Sequence, residues 1–497
     1  MNAFSRRGAC PALSAPMRTG DGLLVRLNPV AGGLALKALI GLCESALRHG
    51  NGIMEVTARG SLQIRGLTAD SAQLLAAEVD ALGIEVRSGV PVEIGPLAGI
   101  DPQEIADPRP LADRIRIAIQ EAGLTARLGP KVSVVVDGGG QLAMDAVTAD
   151  VRLTAVRTAS GTQWSMSVAG DARSARPLTM VDTDGARDIT VAALRMVAER
   201  GREAHTRDLT ERQLASLAGW HSFAPPSVLP DISPTWGEIE LSPPVSLIAN
   251  AASTSDKRGV PAAELPISPL AGEMSGRTEG GVKERQPIRR PIGTFDLADS
   301  HALGFGLPFG SMPAQNLMDL AVQASDLGTT EIRFAPGRAL LFLGLTASAC
   351  PALQASAAAL GFVTKAADPR TRIAACPGAP ACTSGRIATR AIAETIATES
   401  PDLFDASLTL HISGCAKGCA HPGPAVLALV GDENGAGLVV DGTAKALPAG
   451  YRPGYDAARG IAGIAAATRG ERHQGETTAA CLRRLGAAGV AELYRRN

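Results

Sequence analysis

Cys376 and Cys382 bound the stretch CPGAPAC, and Cys415 and Cys419 bound the stretch CAKGC. The full pattern is Cys-x5-Cys, 32 residues, then Cys-x3-Cys. Four thiolates in two pairs suit either a zinc ion or a [4Fe-4S] cluster. Zinc pairs favour about two to four intervening residues, so the second pair fits that reading and the first does not. Both pairs lie in loops rich in Gly and Pro, which let backbone N–H groups approach sulfur closely. TSGRIATRAIAETIA follows Cys382. There Thr383 or Ser384 is the expected cap of an alanine-rich helix, whose N-terminus favours a thiolate and a negatively charged cluster. The competing reading is four unrelated buried thiols. Cys10, Cys43, Cys350 and Cys481 stand alone and read as ordinary core or surface thiols.

Eight cysteines in 497 residues are too sparse for a disulfide scaffold. The N-terminus, MNAFSRRGACPALSAPMRTG, lacks the apolar core of a secretory signal. Together they predict a reduced, cytoplasmic protein, where clustered cysteines point to metal or redox chemistry. Residues 340–364 carry no charge, but Gly344, Pro351 and Gly361 break the run. It reads as a strand, LLFLGLT, then a buried helix, PALQASAAALGF, and not as a membrane span. A net charge of −1 and 3% aromatic residues leave neither a field nor a stacking surface for nucleic acid. No nucleic-acid or membrane partner is expected.

Several elements must position these cysteines. LTLHIS (408–413) and AVLALV (425–430) flank the second pair as short buried strands. Further upstream the chain repeats itself. Residues 22–68 and 304–346 each read strand, loop, amphipathic helix, strand, turn, strand, and each runs through Gly-Leu-Thr near its end. Leu36, Leu39, Ile40 and Leu47 mark the first helix, and Leu317, Leu320 and Val322 the second. Each copy of this α+β unit leads into a longer αβ segment. The first such segment contains a strand at 131–139 and a helix at 190–205; the second carries the four cysteines. A segment rich in Pro, Ser, Gly and mixed charge, 243–291, reads as a disordered linker. Its part ISPLAGEMSGRTEGG resembles the translated product of a mobile repetitive element. The last residues read as a surface helix.

The last strands of the two copies differ. Arg59, Ser61, Gln63 and Arg65 fall at steps of two in the first, which predicts one polar face opposite Leu62 and Ile64. The matching ALLFLGL is apolar on both faces. On spacing alone Arg59 and Arg65 read as a solvated strand face.

ACPGAPAC with SGCAKGC resembles the cluster signature of the sulfite and nitrite reductase family. The resemblance implies that Cys376, Cys382, Cys415 and Cys419 hold a [4Fe-4S] cluster, with Cys419 in the position that bridges to sirohaem iron. It implies an α+β fold of duplicated sulfite/nitrite reductase-like architecture. Its parts would be a first ferredoxin-like half-domain at 1–94, a first αβ domain at 95–242 and the linker at 243–291. A second half-domain at 292–365, an iron–sulfur αβ domain at 366–470 and a C-terminal tail at 471–497 would follow. TARGSLQIRG resembles the segment that holds tetrapyrrole carboxylates, which assigns Arg59, Gln63 and Arg65 to substrate binding; Arg forks suit carboxylates bidentately. RLNPVAGG and PKVSVVVDGG resemble segments facing the reacting side of the macrocycle, which assigns Arg26 and Lys131 there as catalytic residues.

Two family positions depart from the pattern. A second lysine is replaced by Ser133, and a further arginine, aligned near Val90, is absent. Such a pocket is less cationic than reduction of a small anion requires. RLNPVAGG, LQIRGL, GPLAGID and SGCAKGCAHP also resemble the precorrin-3B synthase family of aerobic cobalamin biosynthesis, over nearly the whole chain outside the linker. That implies oxygen- and NADH-dependent monooxygenation of precorrin-3A. The macrocycle is hydroxylated at the meso carbon between rings A and D, and a lactone closes onto the ring A acetate. The cluster would relay electrons from an electron-donating reductase, and O2 would be activated at a mononuclear non-haem iron whose ligands the sequence does not place. His421, beside a Pro turn, reads as structural. The alternatives are a sirohaem-dependent nitrite or sulfite reductase, an iron–sulfur regulator, for which no basic helix is present, and a structural zinc protein.

Overall fold

A computed structural model describes residues 11–30, 32–219 and 289–496. Cys10 and most of the expected linker, 243–288, lie outside the described residues. Among these residues there are four five-stranded sheets.

The first sheet runs β1 (Met17–Thr19), β2 (Gly22–Leu27), β5 (Leu62–Leu67), β4 (Ile53–Val56), β13 (Ser311–Pro313). The second runs β11 (Gly293–Asp296), β12 (His301–Gly306), β15 (Ala339–Leu345), β14 (Glu331–Ala335), β3 (Gly33–Leu34). The two repeated units are therefore interlocked. β13 comes from the second copy and closes the first sheet, while β3 comes from the first copy and closes the second. Each edge strand satisfies N–H and C=O groups of the other copy's sheet.

Helices α1 (Leu36–His49) and α2 (Ala69–Ala81) cover the first sheet, and α6 (Ala314–Asp326) and α7 (Cys350–Ala359) the second. Leu36, Leu39, Leu42, Cys43 and Ala46 form the buried stripe of α1. Leu47 and Val322, expected on the apolar faces, are exposed. A capping box between Thr68 and Ser71 starts α2. One hydrophobic core runs through both copies, from Leu23 to Phe362. The uncharged stretch 340–364 is split between β15 and α7, and among the described residues no helix is long and apolar enough to cross a membrane.

The αβ segments are duplicates as well. The first sheet of this kind runs β6 (Val92–Ile94), β7 (Val134–Asp137), β8 (Ala149–Thr158), β9 (Gly161–Gly170), β10 (Arg176–Val181). The second runs β16 (Ile373–Ala375), β17 (Leu410–Ser413), β18 (Ala425–Asp432), β19 (Gly435–Gly442), β20 (Gly450–Arg452). In both, the first three strands are parallel and the last two antiparallel. Helices α3 (Arg109–Glu121), α4 (Thr183–Glu199) and α5 (Glu211–Ala218) pack on the first, and α8 (Thr389–Glu399), α9 (Ala457–Glu471) and α10 (Thr478–Arg495) on the second.

Three local expectations change. The strand expected at 131–139 is only β7, because Ser133 N–H turns to the Asp150 carboxylate at 3.1 Å. The helix expected at 190–205 is α4, which starts earlier because Asp182 caps it through Gly185 N–H at 2.7 Å. The C-terminal tail is no surface helix. Its Leu482, Val490 and Tyr494 enter the core of the cysteine-bearing domain, and the fully buried Tyr494 hydroxyl donates to Ala436 O at 3.1 Å.

Candidate metal centre and its arginine neighbours

Parallel pairing brings the two cysteine loops together. β16 and β17 are neighbours, with Ala375 opposite Ile412, so the loops that follow them leave the same end of the sheet. Cys376 is the residue after β16, and Cys415 lies two residues after β17. Gly414 N–H donates to Cys376 Sγ at 3.2 Å. Cys382 N–H donates to Gly378 O at 2.7 Å and closes the first loop on itself, while Arg386 N–H donates to Gly414 O at 2.8 Å and laces that loop to the second. The loops touch through glycine. A Cβ on Gly414 would lie 3.0 Å from Gly385 Cα and 3.1 Å from Gly378 Cα.

The helix after the first pair begins later than expected. α8 starts at Thr389, with Ala388 as N-cap and no side-chain cap, so neither Thr383 nor Ser384 serves. Residues 383–388 instead link Cys382 to α8, with Gly385 N–H on Cys382 O at 2.9 Å, and the Thr389 hydroxyl donates to Cys376 O.

All four thiols are free and share one electrostatic neighbourhood. Burial first, then Cys415, Cys376 and Cys382, pushes the Cys419 thiol up. Among the described residues no three His, Cys, Asp or Glu side chains converge on the coordination distances of a single metal ion. A four-iron cluster asks for wider spacing, because each thiolate binds its own iron at a separate corner. The sulfur-directed N–H of Gly414, the glycine cradle and the all-thiol donor set fit that group. The mononuclear iron has no comparable set, since the pair His411 and His421 lacks a third partner among the described residues.

The other candidate side chains occupy different settings. Arg59 lies in the turn between β4 and β5, not on the strand. There Gly60, at φ +82°, permits the close contact; a Cβ on it would lie 3.0 Å from Ala335 C, where β14 of the second copy runs into its turn. Arg59 Nε and Nη2 donate to the Glu93 carboxylate at 3.2 and 3.1 Å, and Nη2 also to Ser133 Oγ at 2.9 Å. The serine that replaces the second lysine thus holds Arg59. Lys131 is exposed just before β7.

Gln63 and Arg65 share one face of β5 as period two requires, but that face is buried. Arg65 is 3% exposed. It donates to both Asp21 oxygens at 3.0 and 2.9 Å, to Glu55 at 3.4 Å and to Ala381 O at 2.7 Å. Burial opposes its charge, yet Glu55 and Asp21 hold its pKa above the usual value. Gln63, with its amide oriented to satisfy both neighbours, accepts from Arg26 Nε at 3.0 Å and Nη2 at 2.7 Å and donates to Glu55 at 3.1 Å.

Sequence reasoning passed over several charged groups. Arg87, three residues before Val90, donates to Pro29 O at 3.0 Å. Burial and then Arg116 press its pKa down, while Glu93 pulls the other way. Arg338, in the turn after β14, donates to Ala420 O at 2.7 Å, beside Cys419. Arg290 lies near Arg372 and Arg338; burial and these two cations lower it to about 10. The turn between β4 and β5 and the turn between β14 and β15 thus each send an arginine into an αβ unit, Arg59 to Glu93 and Ser133, Arg338 to Ala420. His411 is fully buried with both ring nitrogens unpartnered, and its ring meets His421 edge-on at 5.7 Å. Burial first, then His421 and Arg338, lowers it to about 4.

Comparison with known proteins bears on this geometry. The nitrite/sulfite reductase ferredoxin-like half domain family matches residues 15–82. A protein of Sinorhizobium sp. named precorrin-3B synthase is 37% identical over 492 residues, covering 99% of this chain and 95% of that protein. The chain belongs to the precorrin-3B synthase family. The NirA protein of Mycobacterium tuberculosis superposes with a TM-score of 0.65 at 17% identity, covering 94% of this chain and 84% of NirA. At that identity the likeness concerns fold, and it places this precorrin-3B synthase family member on the duplicated α+β architecture of the nitrite and sulfite reductases. Membership ties the chain to cobalamin biosynthesis and to oxidoreductase-type chemistry.

Proposed function

We propose that this chain converts precorrin-3A to precorrin-3B by an oxygen-dependent hydroxylation and lactone closure. One oxygen atom of O2 enters the macrocycle, the other leaves as water, and NADH supplies two electrons through a partner reductase. The observation that carries the reading is the 37% identity, over 99% of the chain, to a protein named precorrin-3B synthase. A [4Fe-4S] cluster held by Cys376, Cys382, Cys415 and Cys419 supplies single-electron transfer when bound. Cys415 lines an open concavity with Thr383, Ser384, Arg386, Asp432 and Glu433, which gives an electron donor a path to the cysteine loops.

The chain's own residues bind and orient. Arg59 exchanges Glu93 for a substrate carboxylate, because a guanidinium fork serves either acid equally well. Arg338 and Arg290, which have no carboxylate partner among the described residues, add positive potential for further acetate and propionate groups. Arg26, fixed by Gln63, faces the reacting side together with Lys131. Gln63 and Arg65 stand behind that surface as supports.

The test is anaerobic purification followed by iron, sulfide and optical analysis. Incubation with precorrin-3A would follow, with and without O2 and a reductant. The expected protein carries iron–sulfur absorption without stoichiometric sirohaem and turns over only when both co-reactants are present. Sirohaem at one per chain with rapid nitrite or sulfite reduction would replace this reading with that of a reductase.

A further inference from the structure

One row of side chains crosses the first sheet. Arg26 on β2 is opposite Gln63 on β5, Gln63 is opposite Glu55 on β4, and Glu55 is opposite Ser311 on β13. Residues in register point to the same face, so the first three side chains meet in line. Glu55 is 5% exposed and accepts from Gln63 and Arg65. It also accepts from Arg390, which lies in the first turn of α8 next to Thr389, the residue bonded to Cys376 O. One end of the row is thus the arginine assigned to the reacting face. The other end is the helix that packs on the cysteine loop.

We infer that Glu55 is a positioning residue that couples the cysteine domain to Arg26. It holds Arg26 through Gln63, and it neutralises Arg390 at the edge of the cluster site. The inference rests on the proposed function, because it needs both a cluster and a substrate. A buried carboxylate with two guanidinium partners and an amide is fixed in place, and the row transmits a displacement at either end.

The charges make the test two-sided. Glu55→Gln removes a negative charge beside Arg390 and stabilises the reduced, more negative cluster, so its reduction potential rises. Arg390→Gln removes a positive charge and lowers the potential. A merely structural disturbance does not shift the two variants in opposite directions. The potential is read by EPR-monitored redox titration of anaerobically purified protein. In parallel, Glu55→Gln should lower kcat by about fivefold while leaving the dissociation constant for precorrin-3A within about twofold. In the Arg26→Ala background the same substitution should have no further effect on kcat. Arg390 is partly exposed, so its variant keeps the test alive if Glu55→Gln fails to fold.

Opposite potential shifts with non-additive turnover support the coupling. Equal or same-sign shifts, or effects of Glu55→Gln and Arg26→Ala that multiply, overturn it. A wild-type protein without a cluster or without precorrin-3A binding defeats the functional reading itself and takes this inference with it. That outcome appears in the wild type and so is distinct from a failure confined to the variants.

Discussion

Arg65 of the first half-domain donates to the carbonyl of Ala381, the residue before Cys382, at 2.7 Å. In the second copy Arg333, on β14 rather than on the strand that matches β5, donates to the carbonyl of Pro96 in the loop after β6 of the first αβ unit, at 3.2 Å. Each ferredoxin-like copy thus ties down the loop of the opposite αβ unit. Arg65→Ala would leave the half-buried Asp21 without its cation and Glu55 with Arg390 alone. It should cost about 3 to 5 kcal/mol. Thermal melting and iron content should fall together; an unchanged melting temperature would remove the tie from this account.

The cysteines separate into two sets. Cys376→Ser, Cys382→Ser, Cys415→Ser and Cys419→Ser should each lose iron and acid-labile sulfide. Cys43→Ala, Cys350→Ala and Cys481→Ala should retain both, since burial pushes the Cys43 thiol up to about 12 and raises the other two as well. Metal and sulfide analysis decides. A full four-iron complement in two or more of the first set would sink the ligand assignment.

Arg59 and Glu93 make opposite predictions for binding. Arg59→Ala should weaken precorrin-3A binding by about 1.5 to 3 kcal/mol, the range for a hydrogen bond to a charged group. Glu93→Gln removes the internal competitor and should tighten it. Titration of the substrate by absorbance gives both constants. If Glu93→Gln also weakens binding, the exchange of partners is wrong.

Glu104 sets a pH dependence of stability. Burial, with Asp107 and Asp101 close by, lifts its carboxyl from 4.5 to about 7. Within that window the folded protein binds more protons than the unfolded chain, so stability falls as pH rises and the loss is complete above about 7. Glu104→Gln keeps an acceptor for Gly99 N–H, now at 2.8 Å, and abolishes the titration. Between about pH 5 and about pH 8 the variant's melting temperature should decline less than the wild type's. Parallel curves would refute the assignment.

The cysteine pairs were legible because each follows directly from a strand, and strand pairing does the rest. The duplication was legible because helix and strand periods survive in both copies. Other features depend on contacts between distant segments. Arg59 follows the period of β5 but belongs to a turn, where Gly60 meets the second copy. Gln63 and Arg65 alternate correctly, yet whether their face meets water or another domain depends on Arg390 and Ala381, more than 300 residues away. Glu55 looks like an ordinary strand acid until Arg390 and Gln63 converge on it. His411, flanked by apolar residues in LTLHIS, carries no sign that His421 folds back over it. The cap of α8 was misplaced because Ser384 is taken by Lys417 Nζ at 2.7 Å, leaving Thr389 to bond to Cys376.

The exchanged strands β3 and β13 have an ancestral consequence. A gene with a single copy of the unit would make a chain with one open sheet edge and half of a shared core. Two such chains could close both edges only by trading strands across a two-fold axis, as an isologous homodimer. In that dimer every site occurs twice and every mutation is felt twice. Fusing the copies freed the loops after β6 and β7 from the fate of those after β16 and β17. One pair could keep four cysteines while the other filled with Asp101, Glu104 and Gln141. Asymmetry of chemistry within a symmetric scaffold is what the fusion made possible.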